Sequence, residues 1–136
     1  MPDMPPDHPV DYVALADFRQ ALRQFMVFSE ERAAEHGLTP QQHQALLAIR
    51  GAPGEHVTIG DLAKRLVLKP HSATGLVDRL ESVGLVERRA SATDRRSATI
   101  DLTPKALESL ERLSATHQEE LRRLRPMFMA LLTRIE

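Results

Sequence analysis

An aspartate followed by two arginines is the most chemically suggestive group in the chain: Asp94, Arg95 and Arg96. Arginine side chains attract negatively charged partners, and a carboxylate beside a guanidinium can fix its direction through a charge-assisted hydrogen bond. The triplet therefore predicts an arginine held ready to contact an anionic partner. The alternative is a polar turn whose surface ion pair contributes about 0–1 kcal/mol.

The triplet lies within VERRASATDRRSATIDLT, residues 86–103, where apolar and polar side chains alternate on both sides of a break at residues 90–93. Alternation with a period of two is typical of half-buried strands. We predict strands over residues 85–89 and 98–102, joined by a turn that carries the triplet.

Two short helices are predicted before this hairpin. In VTIGDLAKRL, Thr58 can cap the first helix, with Asp61 three residues later. In PHSATGLVDRLESVGL, Pro70 suits the first helical position and Gly84 is a typical C-terminal stop. Apolar residues recur three and four positions apart in both segments, so each helix should bury one face. Two such helices separated by a few residues predict a helix-turn-helix.

The second of these helices has a polar outer face. Small hydroxyl side chains at its start suit close approach to a DNA major groove, where they can bond bases or phosphates. The face consists of His71, Ser72, Thr74, Gly75, Asp78 and Arg79. Glycine inside a helix costs about 1 kcal/mol relative to alanine, so either another backbone approaches Gly75 closely or the position is simply tolerated. An ordinary surface helix is the alternative interpretation.

A helix-turn-helix followed by a basic hairpin is the pattern of a winged helix. We predict that the hairpin lies along a DNA duplex, with an arginine of its tip in a narrow, A·T-rich minor groove. The residues predicted to contact DNA are Lys69, His71, Ser72, Thr74, Gly75, Arg79, Arg88, Asp94, Arg95 and Arg96.

The distribution of charge favours a nucleic-acid partner, although the total does not. The net charge of −1 by itself opposes DNA binding, because the phosphate backbone attracts a surplus of Lys and Arg. Between Lys64 and Arg96, however, eight basic residues stand against four acidic ones, a local balance of +4 that leaves −5 for the remainder. A basic middle between acidic arms fits a chain with one DNA-facing surface.

A long amphipathic helix is predicted at each end of the chain. The first covers about residues 10–36, and Leu15, Leu22 and Met26 fall outside its main stripe and indicate a second apolar face. That main stripe is Val10, Ala14, Phe18, Ala21, Phe25 and Phe28. The last begins near Pro104, and Pro126 predicts a break after about Arg125.

The apolar stripes of these two helices predict a symmetric interface between two copies of the chain. The stripe of the last helix is Leu110, Leu113, His117, Leu121, Leu124, Phe128, Leu131 and Ile135. Packing within one chain is the alternative. We expect residues 10–37 and 104–136 to form the dimerisation helices of a single domain over residues 10–136, with residues 38–103 as the DNA-binding region.

Length and composition set the limits of the function. The 136 residues fit one domain, and the absence of cysteine excludes disulfides, thiolate zinc sites and thiol redox sensing. No apolar run approaches the ~20 residues of a membrane span, and residues 1–9 are acidic and Pro-rich, which predicts a disordered tail rather than a signal peptide. We expect a cytoplasmic protein without a membrane partner.

No G-x-S-x-G motif, cysteine nucleophile or Gly-rich phosphate loop is present, so we expect neither an enzyme nor a cofactor.

Two histidines raise the question of a metal or ligand site. His43 and His117 could approach each other between helices, with Glu30, Glu31 or Glu35 nearby, but no ligand spacing such as H-x3-H supports a metal. We predict no metal site and interpret His117 as a partly buried interface residue. Arg19, Arg23 and His43 are candidate contacts for an anionic effector, with surface or packing roles as the alternative.

The segments TIGDLAKRL, SATGLVDRLESVGLVERR and DRRSATIDLTPKA resemble the MarR family of bacterial winged-helix regulators, over about residues 38–106. The resemblance implies a homodimer, a recognition helix carrying Ser72 and Thr74, and a wing that places Arg96 in the minor groove. The chain departs from the family at Ala106, where Gly commonly follows LTPK; this position is at a helix start and away from the DNA surface.

The resemblance also implies a function. Family members usually repress transcription, and many release DNA on binding small aromatic or phenolic compounds. We therefore expect a repressor that binds a palindromic operator as a homodimer and responds to a small-molecule effector. The alternative is a winged-helix scaffold for protein interactions without specific DNA binding, which the basic wing tip disfavours.

Overall fold

The computed structural model describes residues 9–54, 56–90 and 98–135. In chain order the elements are α1 (Tyr12–Glu35), α2 (Pro40–Arg50), β1 (Val57–Thr58), α3 (Ile59–Leu66), α4 (Pro70–Ser82), β2 (Val86–Arg89), β3 (Thr99–Leu102) and α5 (Pro104–Thr133). The fold is mainly helical with a small antiparallel sheet, as the sequence predicts.

Side-chain caps fix most of the helix starts. The Thr39 hydroxyl accepts a hydrogen bond from the Gln42 backbone N–H, and the Gln42 side chain accepts one from the Thr39 N–H, both at 3.1 Å. Thr58 and Asp61 form the same reciprocal pair at the start of α3. The predicted cap of α3 is confirmed. Such boxes satisfy N–H groups that have no partner inside the helix.

Three helices end in the same hydrogen-bonded turn, in which one residue adopts the left-handed conformation. These residues are Gly37 after α1, Val67 after α3 and Gly84 after α4, with φ of +72°, +54° and +76°. In each turn the residue that follows donates its N–H to a carbonyl five positions back, as in Leu68 N to Ala63 O at 2.8 Å. Among the described residues, Val67 is the only non-glycine with positive φ.

The sheet has three strands in the order β1-β3-β2, and both pairings are antiparallel. Val86 pairs with Leu102 and Arg89 with Thr99, which confirms the predicted hairpin with each strand one residue shorter at its start. Strand β1 was not predicted, because two residues carry no recognisable alternation. It covers the outer edge of β3 through Val57 opposite Ile100.

One hydrophobic core joins the helix-turn-helix to the sheet and the long helices. Its most deeply buried large side chains are Leu46, Leu62, Leu76, Leu80, Leu113, Val77 and Val86. They come from α2, α3, α4, β2 and α5. Because each element contributes apolar residues to the same cluster, α4 and the hairpin are held in fixed positions.

The first and last helices run antiparallel. Arg134 donates to the Asp11 carboxylate at 3.0 Å, and the rings of Phe18 and Phe128 meet edge to face with centroids 5.7 Å apart. The predicted helix break near Arg125 is wrong, since α5 continues through Pro126 to Thr133. Buried residues and aromatic contacts on both sides of the proline offset its cost inside a helix, about 3 kcal/mol from a missing hydrogen bond and a ring clash together.

Candidate nucleic-acid interface

Helix α4 has one buried and one exposed face. Its buried side chains are Ala73, Leu76, Val77 and Leu80, the residues that the spacing predicts. On the other side His71, Thr74 and Arg79 are exposed, while Ser72 and Gly75 are half-buried. The helix is therefore anchored by its apolar stripe and offers a polar surface to a partner.

The outer face of α4 is preorganised by contacts within the helix. The Thr74 hydroxyl donates to the Pro70 carbonyl at 3.1 Å, which leaves its oxygen lone pairs free to accept. A Cβ placed on Gly75 would lie 3.5 Å from Nη1 of Arg79, so the Arg79 guanidinium folds back over the glycine. This is an ordinary van der Waals distance, and no other backbone forces a glycine here within the described structure.

Basic side chains surround the start of α4. Lys64 and Arg65 in the last turn of α3 and Lys69 at the N-cap of α4 are all exposed. Lys69 makes no side-chain cap hydrogen bond, because an ammonium group has no lone pair with which to accept one. The arrangement places positive charge at the N-terminal end of the polar face, where a helix already attracts anions.

Arg88 occupies a different position from the other predicted contacts. Its guanidinium lies 2.5 Å from Asp78 and 3.4 Å from Glu81, and its backbone N–H donates to the Glu81 carboxylate at 3.3 Å. Because Asp78 and Glu81 belong to α4 and Arg88 to β2, the three residues clamp the first strand of the hairpin onto the helix. The sequence pattern predicted no role for Glu81 and indicated for Asp78 only a place on the outer face.

A further ion pair joins the two strands of the hairpin. Nε of Arg89 on β2 lies 2.6 Å from the Asp101 carboxylate on β3. Glu87 is directly opposite Asp101 in the register, so Arg89 offsets the repulsion between two facing carboxylates. The predicted contacts Asp94, Arg95 and Arg96 lie outside the described residues.

The start of α5 fixes the other end of α4. The Thr103 hydroxyl donates to the Gly84 carbonyl at 2.7 Å, and the Lys105 ammonium donates to the Val83 carbonyl at 2.9 Å. Thr103 also caps α5 by accepting from the Ala106 N–H. These bonds connect the helix-turn-helix rigidly to the long last helix.

His43 and His117 do approach each other, as the sequence suggests. Their ring centroids are 4.8 Å apart, and Phe25 and Phe28 both pack edge to face on His117. His117 bonds the Leu113 carbonyl through Nδ1 at 2.7 Å and the Ser29 hydroxyl through Nε2 at 2.8 Å. His117 is thus half-buried among elements of its own chain, and its place in an interface between two copies stays a prediction.

Burial of His43, with a smaller repulsion from His117 and His36, lowers the pKa of its imidazole below the ordinary value of 6.5.

The other two candidate effector contacts, Arg19 and Arg23, lie exposed on α1. Over the ranges that the structure covers, neither arginine bonds to His43, and no three His, Cys, Asp or Glu side chains are grouped closely enough to hold a metal ion. In the same ranges no helix has both the length and the hydropathy of a membrane span.

Two short helices packed on a small sheet, with an outward polar face on the second helix and a two-stranded hairpin after it, define a winged helix-turn-helix. The family model described as MarR family matches residues 36–97. YsmB, an HTH-type transcriptional regulator of Bacillus subtilis (strain 168), is 30% identical over 118 residues, covering 84% of this chain and 78% of the relative. The chain therefore belongs to the MarR family and is a transcriptional regulator.

A second relative is similar in sequence, and two solved structures have the same fold. The homoprotocatechuate degradative operon repressor of Escherichia coli is 29% identical, covering 87% of this chain and 76% of the relative. MepR, a transcription regulator of the Staphylococcus aureus multidrug efflux pump MepA, has the same fold, with a TM-score of 0.76 at 21% identity over 93% of this chain and 96% of its own. The structure of MepR in complex with DNA superposes with a TM-score of 0.70, 21% identity and the same coverage of both chains.

Proposed function

We propose that this regulator is a repressor that binds a palindromic DNA operator as a homodimer, with α4 as its recognition helix. The observation that carries the proposal is the outer face of α4, where His71, Thr74 and Arg79 are exposed above a fully buried apolar face. A helix held in this way can enter a major groove without disturbing the core. The Escherichia coli relative is named a repressor, which supports the same direction of regulation.

The residues that the sequence predicts at the DNA interface fall into two groups, those proposed to contact DNA and one that positions the wing. Lys69, His71, Ser72, Thr74 and Gly75 lie in the first half of α4 or at its N-cap, and Arg79 lies in its last turn. The wing triplet at residues 94–96 is proposed as a DNA contact from the sequence alone. Arg88 is held by two carboxylates, so we assign it the positioning of the wing strand rather than a contact with phosphate. Residues 38–103 then form the DNA-binding region.

The proposed dimer uses the outer surfaces of α1 and α5. Most of the predicted stripes pack α1 and α5 against each other and the core, since Ala14, Ala21, Leu124 and Leu131 are buried in the single chain. Other large apolar side chains stay exposed on the two helices and just after α5, and they include Tyr12, Val13, Leu15, Leu22, Met26, Val27, Leu121, Met127, Met129, Leu132 and Ile135. Of these side chains, only Leu121 and Ile135 belong to the predicted stripes. An extensive exposed apolar surface of this kind favours a second copy as its cover.

A small aromatic or phenolic acid is the effector class that we propose. The Escherichia coli relative is named for the degradation of homoprotocatechuate, which is a compound of this class. Near His43 and His117 the rings of Phe25 and Phe28 supply aromatic surface between α1, α2 and α5. A ligand there would touch both the dimer helices and the DNA-binding region. Arg19 and Arg23 remain candidates for a carboxylate from the exposed side of α1.

Catalysis has no place in this proposal, because the family and its matched relatives are named as regulators. The cytoplasm is the expected location, since the proposed operator is chromosomal DNA.

Selection of DNA from a random duplex pool tests the proposal and requires no assumed operator sequence. Wild-type protein should enrich a near-palindrome and shift it in a gel. Arg79→Ala should weaken this binding by about 5-fold to 100-fold, because a base or phosphate contact of α4 is lost. Arg112→Ala removes another exposed arginine, from α5, and should bind like the wild type. Enrichment of no sequence would instead favour a protein-interaction scaffold.

A further inference from the structure

We propose that Val67, in the turn between α3 and α4, contacts the sugar–phosphate strand of bound DNA through its side chain. The inference rests on the proposed DNA-binding function and extends it to a residue outside the recognition helix. Lys64 and Lys69 would flank this contact and bind the neighbouring phosphates.

The backbone at Val67 is strained, as a comparison with the other two helix-ending turns of the same protein shows. The same helix-ending turn occurs three times, and Gly37 and Gly84 occupy the left-handed position in the other two. A β-branched residue with φ of +54° is unfavourable there, because its Cβ crowds the backbone. Glycine would make the same hydrogen bonds without that cost.

Nothing inside the described part of the folded chain offsets this strain. The leucine after each turn, such as Leu68, is buried or half-buried against its helix, but Val67 itself is 91% exposed. Its two methyl groups therefore gain no burial from folding. A residue that is strained and exposed in the free protein can gain burial only from a bound partner.

The surroundings of Val67 favour a nucleic-acid strand as that partner. Val67 lines an open cleft of about 570 Å³ together with small or apolar residues and with Lys64 and Lys69. The full lining is Gly60, Ala63, Lys64, Val67, Leu68, Lys69 and Pro70. The deoxyribose of a DNA strand presents C–H groups and is flanked by two negatively charged phosphates. An exposed valine side chain in a cleft that two lysines also line can contact such a unit. The cleft also continues directly into Pro70, the first residue of the proposed recognition helix.

Three variants separate a DNA contact from a purely structural role. Val67→Gly removes the strain and the side chain, Val67→Ala removes the methyl groups but keeps a Cβ, and Val83→Ala removes the same atoms from an exposed valine at the other end of α4. The probe is the duplex enriched by the wild-type protein from a random pool. Melting temperature and dissociation constant are measured for each variant, the latter at several salt concentrations.

We expect Val67→Gly to melt about 2–5 °C higher than the wild type and yet to bind the duplex about 3-fold to 10-fold more weakly. Val67→Ala should also bind more weakly, and Val83→Ala should bind like the wild type. Because the valine contact is not ionic, the salt dependence of both Val67 variants should match the wild type. Lys64→Ala and Lys69→Ala should each reduce the logarithmic salt slope by about one.

Wild-type affinity for Val67→Gly or Val67→Ala would overturn the contact, and so would a parallel loss of stability and affinity. Loss for Val67→Gly alone would point to backbone flexibility and would also contradict it. Absence of any enriched duplex for the wild type would overturn the proposed function together with this contact.

Discussion

The Arg88 guanidinium on β2 lies 2.5 Å from the Asp78 carboxylate on α4, so an ion pair joins the first strand of the wing to the proposed recognition helix. Glu81 lies on the opposite amino group at 3.4 Å. The pair is partly exposed and contributes little to stability on its own. Its effect is geometric, because it fixes the direction in which the hairpin leaves the helix.

Asp78→Asn tests this geometric role. Removal of a negative charge beside DNA should by itself strengthen binding, because the phosphate backbone is anionic. If the clamp positions the wing, Asp78→Asn should instead weaken binding by about 3-fold to 10-fold, with a similar loss for Arg88→Gln. Dissociation constants for the selected duplex, measured at one salt concentration, show whether the variant binds more strongly or more weakly than the wild type. The double variant should lose no more than the larger single loss, since both changes break the same pair.

Gly75→Ala tests how closely the partner approaches α4. An added Cβ meets only the flexible end of Arg79 at 3.5 Å, so the helix should gain about 0.5–1 kcal/mol of stability. DNA binding should nevertheless weaken, because the methyl group occupies the surface that faces the groove. Chemical denaturation and a binding titration on the same sample measure both quantities. Higher stability with unchanged affinity would show that the glycine is merely tolerated.

Stability should depend on pH through His43. Its pKa is lowered in the fold, chiefly by burial, so the unfolded chain binds a proton more readily than the folded one. This contribution to the unfolding free energy is complete above about pH 6.5 and decreases as the pH falls below that value. Denaturant midpoints at pH 7.5 and 5.5 should differ less for His43→Leu than for the wild type. His56→Gln, which changes an exposed histidine, is the control, and an equal pH effect in His43→Leu would contradict the assignment.

The proposed dimer surface predicts the effect of a charge on its exposed face. Leu132 is 55% exposed in the single chain, so Leu132→Glu should leave the fold intact while burying an unpaired carboxylate in a dimer. We expect a monomer with wild-type helix content and strongly reduced operator binding. Analytical ultracentrifugation gives the mass. Leu107→Glu changes an exposed leucine in the first turn of α5 and should remain dimeric.

The local elements follow from the sequence because their signals are local. Thr58 and Asp61 form the predicted capping box, and Pro70 and Gly84 bound a helix whose buried residues recur at the predicted spacing. The long helix through Pro126 could not be predicted in this way. Its continuity depends on packing against α1, and the proline in the sequence carries no information about that packing.

The sequence indicated which types of residue lie at the candidate site, but not which contacts they make within the fold. Arg88 is basic and near the wing, but only the tertiary arrangement brings it to Asp78 and Glu81, ten and seven positions earlier in the chain. Val67 could not be recognised as strained, because its left-handed conformation depends on how α3 ends and α4 begins. The sequence indicated that His43 and His117 could approach each other, which they do, but it gave no sign of their aromatic surroundings.

Footprinting of the wild-type protein on its selected duplex shows whether two copies of α4 bind one operator. A two-fold dimer that presents α4 from each copy should protect two half-sites about one helical turn apart, roughly 34 Å from centre to centre. The protein mass in the complex, measured by ultracentrifugation, should correspond to two chains per duplex. Protection of a single half-site at full affinity by one chain would contradict operator binding by a dimer.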